Sequence, residues 1–286
     1  MRIVGRVLEL WRFPVKSLGG ERITRSTLGP LGVPGDRGWA LRDETAGEIR
    51  GAKKLPALLG CSARYRAEPD GDAIPAADIV LPDGSHTATD DPAVATHLSA
   101  VAGRPLTLWP RRPATDDAHY RRAAPDNPDF DAEMRAMFGR TPDEPLPDFT
   151  GLPPEIFEFT SPRGTYFDVF PLHLVTTASL AAVGRDGDAE RRDVRRFRPN
   201  VVIDSAAASG FVETDWSGRR LRIGGATLTI EVPTVRCVMV TLAQPNLAKD
   251  TTVLRSIVRD GGQNLGVYAT VAVAGPVAVG DAVELL

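Results

Sequence analysis

Short runs of strictly alternating apolar and polar residues, closed by tight-turn dipeptides, constrain this chain more than any other feature. The clearest run lies at 221–232. Leu221 and Ile223 flank Arg222, Gly224-Gly225 reverses the chain, and Ala226, Leu228, Ile230 and Val232 then alternate with Thr227, Thr229 and Glu231. A period of two puts the apolar set on one face of a strand, so the run predicts a β-hairpin with one buried face. Turn signals recur through the first hundred residues, at Gly19-Gly20, Gly29-Pro30, Gly32, Pro34-Gly35 and Pro82-Asp83-Gly84, which predicts a β-rich unit. Near the end of the chain, 267–274 and 277–285 read as two further strands, with turns at Gly275-Pro276 and Gly280-Asp281. Strands at such short intervals with few helices favour closed or nearly closed β-barrels over a parallel α/β sheet.

Three helices interrupt this pattern. Asp91-Pro92 supplies a cap and a first-turn proline, Val94, Leu98 and Val101 share a face, and Gly103 is a stop, which predicts a helix over 92–102. Thr176 and Thr177 cap a short helix through Ala178, Leu180 and Val183, ended by Gly184. Asp250 or Thr251 caps a third, whose Val253, Leu254, Ile257 and Val258 share a face up to Gly261-Gly262. From 110 to 162 the composition shifts to Pro, Asp and Arg, with only a short amphipathic piece at Met134, Met137 and Phe138. So long an irregular stretch is either a solvated connection or a functional lid. The division that results is a β-unit at 1–110, a linker or lid at 111–162, and a second β-unit at 163–286. A chain of 286 residues, 42% of them hydrophobic, is long enough to fill one or two cores.

Charge narrows the function. A net charge of -3 with both signs interspersed lacks the basic excess of a nucleic-acid binder. Arg2, Arg6, Glu9 and Arg12 break up the N-terminal apolar run, so no signal peptide is expected. No stretch approaches the ~20 apolar residues of a membrane span. A soluble cytoplasmic protein is the expectation. Cys61 and Cys237 are far apart and show no Cys-X-X-Cys spacing, so neither a disulfide framework nor a structural zinc site is signalled, and a functional thiol would act alone.

Cys237 follows Arg236 just past the hairpin. A neighbouring cation favours thiolate, the form that binds soft metals or attacks electrophiles, while a lone cysteine among valines also serves as a small core hydrophobe. Both readings stay open on these residues alone. Arg195-Arg196-Phe197-Arg198-Pro199-Asn200 offers several guanidinium forks and an amide, suited to a phosphorylated ligand or to a solvated basic face. Lys16 and Ser17 sit in a turn after the first strand, and Arg37 follows the tight turn at Pro34-Gly35; strand-end turns are where a barrel displays ligand contacts, although turn lysines are often simply exposed. His86, His97, His119 and His173 form no metal-ligand spacing. There is no nucleophile elbow, no phosphate loop of the Walker type, and Asp129, Asp131 and Glu133 do not complete a calcium loop.

The order of these motifs is more specific than any one of them. Pro14-Val15-Lys16-Ser17, Gly35-Asp36-Arg37, Arg196-Phe197-Arg198-Pro199-Asn200, Arg236-Cys237, Gly266-Val267-Tyr268 and Val279-Gly280-Asp281-Ala282-Val283 together resemble the MOSC family in its two-part form, similar to the bacterial YcbX proteins and the mitochondrial amidoxime-reducing component. The resemblance spans nearly the whole chain, least at 110–162. It implies an N-terminal β-barrel domain packed on a MOSC β-barrel domain with a molybdenum cofactor, a molybdopterin, held between them. It further implies that Cys237 is the metal's protein ligand and the catalytic centre. Lys16, Ser17, Arg37, Arg196, Arg198, Asn200 and Arg236 are then expected to hold the cofactor, and Thr176, Thr177 and Ser179 to add hydroxyl contacts. Pyridoxal phosphate binding is a further family-level association. The implied activity is an oxidoreductase that reduces N-hydroxylated or other N- or S-oxygenated small molecules, with electrons from a separate redox protein or flavin reductase; the alternative is sulfur transfer or cofactor carriage on Cys237. One departure stands out. Family members often carry Asp-Pro shortly after the Cys and Thr, where this chain has Thr241-Leu242-Ala243-Gln244-Pro245.

Overall fold

The computed structural model describes residues 1–184, 188–205 and 208–286. Its larger core is a closed barrel of seven strands, taken in the order Val201–Asp204, Leu172–Thr176, Asn264–Val273, Ala226–Val235, Arg220–Ile223, Ala282–Leu285 and Arg2–Arg12, the last pairing back onto Val201–Asp204. The pair Leu172–Thr176 with Val201–Asp204 is parallel, joined through the helix Thr177–Val183, and the other barrel pairs are antiparallel. Alternation decides what fills it. Leu221, Ile223, Ala226, Leu228 and Ile230 are all fully buried and point inward with Val7, Leu10, Leu174 and Val267.

The predicted hairpin is present, with one deviation. Its alternation ends before Val232, because the register slips between Ile230 and Pro233 and Val232 is only half-buried. Pro233 has no N–H to give a ladder, which is why an irregularity sits there. The helices form at Val94–Ala102, Thr177–Val183 and Thr252–Asp260, the first starting two residues later than predicted because Asp91 Oδ1 accepts from the amide of Ala93. Gly275-Pro276 is not a turn. It opens the strand Gly275–Ala278, which pairs with Arg25–Leu28, while Gly280, at φ +94°, makes the turn before Ala282–Leu285.

The second core lies in the N-terminal half. Two three-stranded antiparallel sheets, one of Glu48–Ile49, Trp39–Asp43 and Leu106–Pro110, the other of Ser62–Tyr65, Ala77–Val80 and His86–Ala88, enclose Val15, Leu18, Leu41, Leu58, Ile79 and Leu98. The protein is therefore mainly β, an N-terminal barrel domain followed by a seven-strand barrel. The two are interleaved. Arg2–Arg12 closes the C-terminal barrel although it starts the chain, so hydrogen bonding does not follow a boundary at residue 110.

Residues 111–162 carry short helices at Asp117–Tyr120 and Phe130–Phe138 and a helical turn at Pro154–Phe157. Both halves of the molecule hold this segment. Asp126 bonds Arg50 at 2.6 Å, Glu133 bonds Lys54 at 2.6 Å, Arg140 donates to the carbonyl of Arg236 at 3.1 Å, and Arg255 bonds Glu144. Among the described residues no helix is long and apolar enough to cross a membrane.

Candidate functional site

Residues from all three parts line one cavity of about 700 Å³, within the usual range for small-molecule and cofactor sites. Its N-terminal wall begins with the turn after Arg2–Arg12. Ser17 adopts φ +74° there, and its Oγ accepts from the amide of Ala52 at 2.9 Å, so the hydroxyl fixes the turn. Lys16 is left facing the cavity, where Nζ donates to Asp168 Oδ1 and to the carbonyl of Tyr166, both at 2.8 Å. Burial pulls the Lys16 ammonium below its ordinary range, opposed by the charge of Asp168. Asp168 responds in the other direction. Although enclosure opposes its charge, Lys16, Lys53 and Arg37 together hold its carboxyl well below the usual carboxylate range.

Two guanidiniums share one ring. Arg198 lies 4.2 Å and Arg37 5.2 Å from the centroid of buried Phe13. Both residues take left-handed backbone angles, φ +56° and +50°, that side-chain-bearing residues rarely adopt. Such strain persists where the surroundings over-determine it and is frequent at ligand sites. Arg37 is paired with Asp36, whose other oxygen accepts the amide of Phe13 at 2.8 Å. Arg198 has no carboxylate partner among the described residues: Nη1 donates to the carbonyl of Leu18 at 2.7 Å and Nη2, although buried, has no partner. Burial, then repulsion from Arg37, pushes Arg198 down to about 9.

The C-terminal wall holds a matching feature. Arg236 Nη2 donates to the carbonyl of Phe197 at 2.9 Å, Nη1 stands 3.4 Å from His173 Nε2, and Nε is buried without a partner. His173 is driven well below 6.5 by burial and then by Arg236, so it is neutral. Cys237 follows, half-buried and lining the cavity at the start of the helical turn Val238–Thr241. Arg140, from the middle segment, donates to the Arg236 carbonyl beside it.

Not every predicted residue joins this group. Arg196 lines the cavity but is 1% exposed, and its guanidinium donates to the carbonyls of Glu190, Val240, Leu242 and Ala248, stapling the chain around it. Asn200 lines the cavity, yet its Oδ1 accepts from the amide of His173 and its Nδ2 donates to the carbonyl of Trp11, tying two barrel strands together. Thr176, Thr177 and Ser179 lie apart from the cavity. Thr176 caps its helix, both Thr176 and Ser179 donate to buried Glu213 at 2.6 Å, and Thr177 bonds Ser205. Sequence reading missed Phe13, Lys53, Arg140, Asp168, His173 and Tyr268. Tyr268 lay within the quoted Gly266-Val267-Tyr268 without being singled out, and the others become visible only when distant segments converge. Among the described residues no group of three or more His, Cys, Asp or Glu is placed to hold a metal.

A mainly β, two-barrel protein with a cationic cavity opening onto a single thiol is the class that fold and site define. Family models give the class its name: the model of the MOSC N-terminal beta barrel domain matches residues 4–100 and that of the MOSC domain matches residues 162–284. The chain belongs to the MOSC family. It is 27% identical, over 93% of its length, to a protein of Anopheles gambiae named molybdenum cofactor sulfurase, and it spans only 34% of that relative. Among solved structures it is similar to the YuaD protein of Bacillus subtilis, at 11% identity and a TM-score of 0.43 over 98% of this chain and 94% of that one. A hypothetical protein matches at 15% identity and a TM-score of 0.30 over 41% of this chain and 51% of that one.

Proposed function

We propose that this protein binds a molybdenum cofactor and works as an oxidoreductase, removing oxygen from N-hydroxylated or other N- or S-oxygenated small molecules. The observation that carries the reading is the pairing of Cys237 with two buried, partnerless guanidinium nitrogens, Arg198 Nη2 and Arg236 Nε, on one cavity. A buried donor without a partner costs about 1–3 kcal/mol, more when charged, and an anionic ligand relieves that cost. Lys16 pairs with Asp168 and Arg37 with Asp36, while Arg198 has no carboxylate partner among the described residues, an excess of cations that suits a phosphorylated group. The donor chemistry thus fits the cofactor: cations for the phosphate, and a lone thiol as a soft ligand that leaves other coordination positions free. When bound, the metal supplies two-electron redox chemistry; a balanced turnover converts N–OH to N–H and water with two electrons and two protons, the electrons coming from a separate redox protein or flavin reductase.

The chain's own residues do the rest. Asp168, held ionised by Lys16, accepts its hydrogen bond and offers a carboxylate inside the cavity. Arg140 holds the carbonyl of Arg236, the residue before Cys237. A second reading draws on the relative named as a sulfurase. In it, Cys237 carries sulfur or passes the cofactor on. Elemental analysis of protein from a cofactor-competent host separates the two readings: near-stoichiometric molybdenum that is lost in Cys237→Ser supports the oxidoreductase. Metal content indifferent to that change refutes it, and a Cys237 persulfide found by mass spectrometry without turnover of N-hydroxylated bases moves the assignment to sulfur transfer.

A further inference from the structure

The cavity has two chemically distinct ends, and the middle segment builds the second. Phe130, Met134, Met137, Phe149, Leu152 and Phe157 line it. Helix Phe130–Phe138, capped by Asp129, turns Met134 and Phe138 inward at 9% and 8% exposure, and Phe138 meets Phe149 edge to face at 5.4 Å. Phe149 in turn meets Phe157 edge to face at 5.5 Å. Phe149 is part-buried and Phe157 half-exposed, so both rings keep surface that another flat group can meet. Phe130 and Phe157 remain 59% and 51% exposed, and large apolar side chains grouped in this way mark a binding surface.

This end adjoins the thiol. A Cβ at Gly139, directly after Phe138, would lie 3.7 Å from the Cβ of Val238, the residue after Cys237. Charge distinguishes it from the cationic end. Asp126 bonds Arg50 and Lys54, Glu133 bonds Lys54, Glu158 bonds Arg121 and Glu48 bonds Arg50, so every carboxylate lining this part already has a cation. An ammonium or guanidinium on a ligand would find no free counter-charge here and would lose its hydration on entry.

We propose that the 126–157 segment sets the substrate class: an uncharged molecule with a flat apolar group, held on the Phe149–Phe157 rings while its polar end lies at Cys237. The proposal rests on the cavity being a substrate site, as read above. Isothermal titration of as-isolated protein with the neutral pair N-hydroxybenzamidine and N-hydroxyacetamidine tests it, with molybdenum measured on the same samples. The phenyl compound is expected to bind about tenfold more tightly than the methyl one, and Phe157→Ala to remove most of that ratio while Phe157→Tyr restores it. Phe157 is half-exposed, so its truncation leaves the fold in place, and unchanged metal content in Phe157→Ala confirms that the other end is intact. Equal affinity for the two compounds in wild type, or an equal loss for both in Phe157→Ala, overturns the proposal. A phenyl preference that depends on Phe157 in protein unable to hold molybdenum supports the aromatic wall and refutes the cofactor reading instead.

Discussion

Replacing Arg198 with methionine in protein from a host that makes no molybdenum cofactor isolates what the cationic wall costs and what it does. Methionine keeps a side chain at φ +56°, so backbone strain is the same in both proteins. The descent of Arg198 from 12.5 to about 9 means that the folded protein disfavours its charge by on the order of 5 kcal/mol. That figure is already net of the hydrogen bond to the Leu18 carbonyl, so the charge is a cost to the fold. The variant is therefore expected to be no less stable than wild type, whereas removing one partner of a compensated buried ion pair costs about 3–5 kcal/mol. Phosphate at a hundred times its Kd stabilises wild type by about 2.7 kcal/mol, which at roughly 2–3 °C per kcal/mol raises Tm by about 5–8 °C. Arg198→Met is expected to lose that rise. Calorimetric melts with phosphate or with chloride at equal ionic strength read both effects. A large fall in Tm without anion, or an unchanged phosphate shift, refutes the account of Arg198 as an uncompensated ligand-binding cation.

Two further perturbations probe the barrel beneath the site. His173 is held neutral, well below 6.5, by burial and then by Arg236, while the unfolded chain protonates it near 6.5. The unfolded state therefore binds more protons as pH drops below 6.5, and stability falls by up to about 1.4 kcal/mol per pH unit. Urea unfolding at pH 7.5 and 5.0 should show a smaller acid loss in His173→Gln than in wild type; equal losses would assign the acid sensitivity elsewhere. The pair Thr176→Val with Ser179→Ala takes both hydroxyl donors from Glu213, a carboxyl that burial pushes up, and should destabilise by about 2–4 kcal/mol with molybdenum content unchanged. Loss of metal at unchanged stability would return those hydroxyls to the cofactor.

How much of this was legible in the chain differs by element. The hairpin at 220–235 and the helix after Thr176 were readable because period-two burial and an N-cap are local properties, fixed within a few residues. Gly275-Pro276 misled for the same reason. As a dipeptide it signals a turn, but strand Arg25–Leu28, some 250 residues earlier, offers it a ladder. The Arg-Phe-Arg-Pro-Asn motif was recognisable as a unit, yet how each guanidinium is partnered was not: Arg196 donates to four carbonyls and Arg198 retains a nitrogen without a partner.

The sequence by itself determined that the fold is mainly β and that the chain carries the ordered motifs of the MOSC family. Those follow from short-range periodicity, residue type and motif order. Only the tertiary structure decided that the first strand closes the last barrel, that Asp168 meets Lys16, and that the proline-rich middle becomes a wall of the cavity. The physical reason is that alternation tells a strand which face to bury but not against which partner. Pairings across 150 residues are set by the packing of the whole core.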